Sequence, residues 1–130
     1  MLGVKTYSKE YIDSCRAKVR RDVDALAIAP KSSDLESAFL ANLVVVLDAM
    51  FVHRLRTVEG KDGNPMNEVR VIVQSLFEHG GVFTPDKGIK LTPEKSVLGL
   101  REGDPVRLST AQFEKLADAY LSEIGRKFGG

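Results

Sequence analysis

Apolar residues recur at three- and four-residue steps along most of this chain, which is the period of a helix that buries one face. Four segments carry this pattern, at residues 8–29, 34–59, 65–79 and 110–128. Ser8, Asn64 and Ser109 stand where a polar side chain can cap the free N–H groups of a first helical turn. The pattern therefore predicts four helices that pack on one another.

The second segment is apolar on almost every side in its middle. Pro30 is expected to end the helix before it, and Ser33 with Glu36 fits a capping box at its start. Its main apolar stripe consists of Leu40, Val44, Leu47, Phe51, Leu55 and Val58. Its opposite side carries Leu43, Val45, Val46, Ala49, Met50 and Val52. A helix that is apolar all round must be covered all round, so we expect a central helix and a homodimer that completes the bundle.

The stretch between the third and fourth helices has a different pattern. Residues 82–84 and 89–91 flank a Pro-Asp-Lys-Gly sequence that suits a tight turn, and together they predict a β-hairpin. Residues 92–98 are expected to form one or two helical turns, and residues 106–108 a short strand. The expected fold class is mainly α: a four-helix bundle-like single domain over residues 1–130, with a small β-hairpin insertion between helices three and four.

Composition adds little to this picture. The chain has 130 residues, of which 43% are hydrophobic and 28% charged, and its formal charge is +1, so there is no bulk electrostatic case for nucleic acid or anionic membranes. The single Cys15 cannot form an internal disulfide. Residues 1–11 lack the apolar stretch of a secretory signal, and the apolar run at 43–52 is shorter than the ~20 residues of a membrane span. We expect a cytoplasmic protein.

Asp48 is the polar residue with the most apolar surroundings. On a helix its neighbours would be Val44, Phe51, Val52 and Leu55. A charge in such a place is costly unless it is paired or hydrogen-bonded. Asp48 is therefore either a functional carboxylate or a structural partner for an arginine, a helix end or a second subunit.

Positive residues around the loop at residues 60–63 form the candidate ligand site. The loop leads into a helix N-terminus, whose free N–H groups can hold a small anion such as a carboxylate or phosphate. It lacks the spacing of a nucleotide P-loop. In the alternative interpretation Glu59, Asp62 and Glu68 neutralise the cations in a structural network. The candidate ligand-binding residues are His53, Arg54, Arg56, Lys61 and Asn64.

No catalytic residue can be assigned from the sequence. The two histidines, His53 and His79, have no nucleophile motif around them, and no Glu-x-x-His or His-x-x-x-His pair occurs. On one continuous helix Asp48 and His53 would stand about 140° apart, so they would not bind one ion together. We therefore expect no metal and no other cofactor. A small-molecule or metal-dependent enzyme that uses Asp48, His53 and Glu59 is kept as an alternative.

The run HRLRTVEGKDGNPMNEVR, at residues 53–70, resembles a signature of a family of small uncharacterised bacterial helical proteins. The likeness continues through residues 89–91 and 96–99 to the last helix, and so covers most of the chain. It implies a bacterial protein and a loop that is a family feature. The family has no assigned activity, substrate or cofactor, so the resemblance supplies no site residues.

Residues 89–109, IKLTPEKSVLGLREGDPVRLS, are similar to the core of AbrB-type swapped-hairpin transcription factors, which run strand, Pro-started turn, Leu-Gly-Leu, Gly-Asp and strand. The matching positions are Ile89, Leu91, Pro93, Leu98, Gly99, Leu100, Gly103, Asp104 and Val106. The chain departs from that family because a helix replaces the following hairpin and no basic DNA-facing arm is evident. The likeness implies a DNA-binding regulator as an alternative function.

Together these observations predict a non-enzymatic binding or protein-interaction domain. We expect it to form a homodimer, to take a small anionic ligand near His53, and to avoid membranes. Nucleic acid is not an expected partner outside the AbrB-like alternative.

Overall fold

The computed structural model describes residues 3–29 and 31–129, and this part of the chain contains five helices. They are α1 (Lys9–Ala27), α2 (Ser33–Ala49), α3 (Arg56–Glu59), α4 (Pro65–Glu78) and α5 (Thr110–Phe128). The mainly α class is confirmed. Helices α1, α4 and α5 each begin and end within two residues of their predicted first and last residues. Pro30, which was expected to end the first helix, lies outside the described residues.

Local capping explains why these three helices begin where the sequence predicts. The Ser8 hydroxyl accepts from the N–H of Tyr11 at 3.1 Å. The Asn64 side chain accepts from two N–H groups of the first turn of α4, and Pro65 occupies the first helical position. Ser109 and Gln112 form a full capping box at α5. Each cap satisfies N–H groups that have no partner within the helix.

The predicted capping box of the second helix is wrong. Ser32 caps α2 by accepting from the N–H of Leu35 at 3.3 Å, one residue earlier than expected. The Glu36 carboxylate is directed to another helix, where it accepts from the Thr110 hydroxyl at 2.6 Å and the Thr110 N–H at 3.3 Å. Glu36 therefore binds the start of α5 and does not cap the first turn of α2.

The second helix is also shorter than predicted, since α2 ends at Ala49 and the chain then turns. Residues 53–55 run beside the N-terminal segment: the Val4 N–H donates to the His53 carbonyl at 2.8 Å, and the Leu55 N–H donates to the Val4 carbonyl at 2.9 Å. The single-turn α3 follows. After the turn, the Arg54 side chain lies in the interior and is fully buried.

The predicted β-hairpin does not form, and the described residues contain only isolated bridges instead of strands. Phe83 pairs with a later segment, its N–H donating to the Asp104 carbonyl at 2.8 Å. The Lys90 N–H donates to the Lys61 carbonyl at 2.9 Å. The two segments expected to pair as a hairpin therefore have separate partners. Only the turn between them is present, and in it the Ile89 N–H donates to the Asp86 carbonyl.

The expected strand at residues 106–108 is also absent from the described chain, although Val106 and Leu108 are buried. The two strands of the AbrB-like pattern are therefore missing. Between them, the Ser96 N–H donates to the Thr92 carbonyl at 3.0 Å, which gives one helical turn.

The core lies where α5 packs against α1, α2 and α4. Four residues of the predicted stripe are fully buried in it: Leu40, Val44 and Leu47 on α2, and Phe51 just after the helix ends. The largest buried side chains from α5 are Phe113, Tyr120 and Phe128. Phe83 covers the core from residues 79–109, which join α4 to α5 and which we call the connecting segment. In the described ranges no helix has the length and apolar content needed to cross a membrane.

Candidate functional site

A chain of alternating charges crosses the interior beside the end of α2. We call it the ionic chain: Asp48, Arg54, Glu59 and Arg70. Arg54 donates from Nη2 to Asp48 Oδ1 at 3.0 Å and from Nε to Glu59 Oε1 at 2.8 Å. Arg70 donates from Nε to Glu59 Oε2 at 3.1 Å and from Nη2 to Oε1. The side chains of Arg54 and Glu59 are fully buried, so charge is balanced inside the fold.

Arg54 is the centre of this arrangement and not a surface ligand. Its Nη1 donates to the Phe51 carbonyl at 3.0 Å and to the Tyr120 hydroxyl at 3.1 Å. Burial by itself lowers the pKa of Arg54, but Tyr120, Glu59 and Asp48 outweigh it and raise the pKa. The sequence-predicted binding residue is thus placed out of reach of a dissolved ligand. Asp48 has the structural partner that one of its two interpretations required.

The Glu59 carboxylate accepts hydrogen bonds from three side chains. Besides the two arginines, Asn67 donates from Nδ2 to Glu59 Oε2 at 2.9 Å. Burial alone would raise the pKa of Glu59, but the hydrogen bond from Arg70 and the charges of Arg54 and Arg70 outweigh it. The pKa of this carboxyl therefore lies below its ordinary value, and the group stays ionised in the folded protein.

This shift predicts an acid limb of unfolding that depends on Glu59. Because its folded-state pKa is below the unfolded value, its contribution to stability is present above pH 4.5 and is lost as the pH falls through the folded-state pKa. Urea unfolding measured from pH 7 to about pH 3 should show the loss. Glu59→Gln should be less stable at neutral pH and should depend less on pH. Equal slopes for the two proteins would contradict the prediction.

The loop before α4 is closed by its own hydrogen bonds. The Asn64 side chain accepts from the N–H of Met66 at 2.8 Å and donates to the Glu59 carbonyl at 2.7 Å. Asn67 Oδ1 accepts from the Gly63 N–H at 2.9 Å. The helix N-terminus that the sequence offered to an anion is therefore capped from within. Asn64 is buried and shapes the loop.

Gly63 allows the loop to approach the connecting segment closely. Its φ is +87°, and a Cβ at this position would lie 2.3 Å from the Lys90 carbonyl oxygen. Only glycine combines this backbone conformation with this proximity. The contact places residues 86–90 beside the ionic chain, so the turn at Asp86 becomes part of the same surface.

The remaining candidates, His53, Arg56 and Lys61, are exposed. His53 and Arg56 line a recess of about 320 Å³ beside Gly3 and Thr57. Arg56 also lines a second recess of about 290 Å³, which we call the guanidinium recess. Its lining residues are Asp48, Arg56, Arg70, Val73, Gln74, Asp86 and Ile89. Lys61 lines neither recess.

The alternative catalytic trio is not brought together. Asp48 and His53 line different recesses, while the Glu59 side chain is fully buried. Asp48 and His53 do not lie on one continuous helix as expected, because α2 ends at Ala49. The two residues are separated by the turn instead.

Several residues at the site were not predicted. Gln74 lies one helical turn after Arg70 on α4, whereas Asp86 reaches the same recess only through folding of the segment between α4 and α5. Glu68 was expected to neutralise cations, but it is buried and accepts from the Val97 N–H at 2.8 Å and the Leu98 N–H at 3.0 Å. It fastens the connecting segment to α4.

Across residues 3–29 and 31–129, no group of three or more histidine, cysteine, aspartate or glutamate side chains is arranged to hold a metal ion. No protein-family model, curated protein or solved structure matches this chain.

Proposed function

We propose that this protein is a non-enzymatic binding domain that holds a small carboxylate-bearing ligand in the guanidinium recess. One observation carries the proposal: two arginines, Arg56 and Arg70, line a single small recess. Guanidinium groups are suited to carboxylates because their planar N–H donors match two carboxylate oxygens. The proposal keeps the expected anionic ligand and moves its site from the loop to the recess between the two ends of the ionic chain, Asp48 and Arg70.

Arg70 is held in place for such a ligand. Its Nε and Nη2 donate to Glu59, and its side chain remains 25% exposed. Its Nη1 has no hydrogen-bond partner within the described chain. Anchoring one edge of the guanidinium fixes the direction of the other, so less side-chain entropy is lost when a ligand binds.

Arg56 is the adjustable member of the pair. Its side chain makes no hydrogen bond or ion pair with any residue of the described ranges, and it is exposed at the start of α3. It is therefore available to a ligand and is not needed by the core. Its removal tests binding without opening the buried ionic chain.

Arg56→Ala is expected to abolish ligand stabilisation while it leaves the fold intact. The melting temperature would be measured with a panel of small carboxylates, from acetate to free amino acids. At least one member should stabilise the natural protein, because a ligand that binds only the folded state raises its stability. The free energy of unfolding without ligand should change by no more than about 0.5 kcal/mol.

Arg21→Ala is the matched control, because Arg21 is an exposed arginine on α1 away from the recess. It removes the same charge and should keep the full ligand response. The absence of any response across the panel in the natural protein would overturn the proposal. An equal response in Arg56→Ala would overturn the assignment to this recess.

A second candidate, self-association, is favoured by exposed apolar side chains near the end of α2. Val46 and Val52 are exposed there, and Val52 retains 55% of its accessible surface. Val4 and Tyr11 are also exposed on the adjoining N-terminal segment and α1. The Tyr11 hydroxyl donates to the Met50 carbonyl, so these side chains belong to neighbouring segments. We propose that a second copy of this chain covers this surface.

Light scattering on a sizing column checks this second candidate. The natural protein at micromolar concentration should have twice the 14.3 kDa mass of the chain. Val52→Glu should give the single-chain mass, since a charge in an apolar interface is costly. Ile28→Glu, at another exposed apolar position, is the control and should leave the mass unchanged. A single-chain mass for the natural protein would exclude the dimer.

A further inference from the structure

We infer that the ligand of the guanidinium recess is a zwitterion of amino-acid size, which carries an ammonium group as well as a carboxylate. The inference rests on the proposed function and adds a positive charge to the carboxylate-bearing ligand. Arg56 and Arg70 share the recess with two acids, Asp48 and Asp86. The four formal charges cancel. A bare anion would be attracted by the arginines and repelled by the acids, whereas a ligand of both charges can pair with both.

The opposite charges at this recess are the two ends of the ionic chain. Asp48 is bound through Oδ1 to Arg54, Arg54 is bound to Glu59, and Glu59 is bound to Arg70. Asp48 and Arg70 are its only partly exposed members, at 15% and 25% of their side-chain surface. A bound zwitterion would continue the alternation of charge from Arg70 to Asp48 and close it into a ring.

The recess also has unused hydrogen-bonding atoms of both kinds. Asp48 uses Oδ1 for Arg54, and Asp86 uses Oδ1 for the Gly88 N–H at 2.8 Å. Their Oδ2 atoms have no partner among the described residues and can accept from an ammonium group. Arg56 and the Nη1 atom of Arg70 can donate to a carboxylate. Gln74 adds an amide that can do either.

The volume and the walls limit the size of the ligand. About 290 Å³ is at the lower end of the range for small-molecule sites, which suits one amino acid better than a nucleotide or a long peptide. Val73 and Ile89 provide an apolar wall that a short aliphatic side chain can contact. The connecting segment supplies both Asp86 and Ile89, so its docking completes the site.

Titration calorimetry on the full chain tests the inference. The probes are acetate and a set of free amino acids that includes alanine, valine and glutamate, each compared with its N-acetyl derivative and its carboxamide. The free amino acid should bind best. Blocking either charged group should weaken binding by several-fold, because the oppositely charged side chains of the recess would lose their partner.

Asp86→Asn separates the two charges of the ligand. Asparagine keeps the Oδ1 acceptor for Gly88 and removes the negative charge, so the turn should persist. The variant should bind the free amino acid up to about fivefold more weakly, because Asp86 is exposed, and the N-acetyl derivative at least as tightly as the natural protein does. Glu102→Gln, at an exposed acid in another turn, is the control and should bind both probes normally.

The outcomes distinguish this inference from the proposed function. If the N-acetyl derivative or acetate binds as tightly as the free amino acid, the zwitterion is excluded and carboxylate binding stands. Unchanged amino-acid affinity in Asp86→Asn also overturns the inference. If no carboxylate binds, both the inference and the proposed function fail.

Discussion

Arg54→Met is expected to lower the free energy of unfolding by about 3–5 kcal/mol, which is the usual cost of removing one partner from a buried ion pair. Methionine keeps most of the volume of the arginine stem but none of its donors. Glu59 would keep its contacts with Arg70 and Asn67 and lose its fully buried cation. The Tyr120 hydroxyl and the Phe51 carbonyl would also lose the hydrogen bonds that they accept from Arg54 Nη1.

Urea unfolding at neutral pH measures this effect, and Arg21→Met on the exposed face of α1 is its control. The control should change the free energy of unfolding by no more than about 0.5 kcal/mol. Adding Glu59→Gln to Arg54→Met should cost less than the sum of the two single changes, since each single change leaves an uncompensated charge. If Arg54→Met lowers the free energy of unfolding by less than about 1 kcal/mol, the buried ion pairs of Arg54 do not form in solution.

Glu68→Ala is expected to be the second largest change, with a loss of about 2–4 kcal/mol, because two backbone N–H groups lose their acceptors. One carboxylate oxygen accepts from Val97 and the other from Leu98. No cation forms an ion pair with Glu68 in the described part of the chain. The carboxylate is therefore held by backbone donors, and it holds the connecting segment in return.

Hydrogen exchange of the Val97 and Leu98 amides gives the most direct measurement. Both should lose protection in Glu68→Ala, and Glu68→Gln should restore at most one, because an amide has one acceptor oxygen and its NH₂ group would face the second N–H. Glu94→Ala, at an exposed acid in the same turn, should leave both amides protected. Protection retained in Glu68→Ala would contradict the assignment.

Glu68 and Glu59 should respond to pH in opposite directions. Burial raises the pKa of Glu68 above its ordinary value, although the two N–H groups and Lys115 act to lower it. A raised folded-state pKa means that the folded protein binds the proton more tightly than the unfolded chain does. The contribution of Glu68 to stability therefore falls as the pH rises from its ordinary value of 4.5 through the folded-state pKa. The pKa of Glu59 is lowered, so its contribution rises with pH.

The candidate site was predictable only in its neighbourhood. The density of cations from Arg54 to Arg70 marks the region in which the ionic chain lies, and Arg56 is exposed there. Which of these cations would be buried and which exposed was not predictable from the sequence. Arg54 is buried because acceptors from Asp48, Glu59 and the distant Tyr120 converge on it, and that convergence exists only in three dimensions.

Three helix starts and the core stripe of α2 follow from the sequence alone, because capping and apolar periodicity are decided among residues a few positions apart. The end of α2 at Ala49, the separate partners of Phe83 and Lys90, and the guanidinium recess were decided by tertiary structure. Each depends on polar groups far apart in the chain that must satisfy one another once water is excluded. Capping and apolar periodicity determine where the helices form. The pairing of buried polar and charged groups determines which side chains meet at the recess.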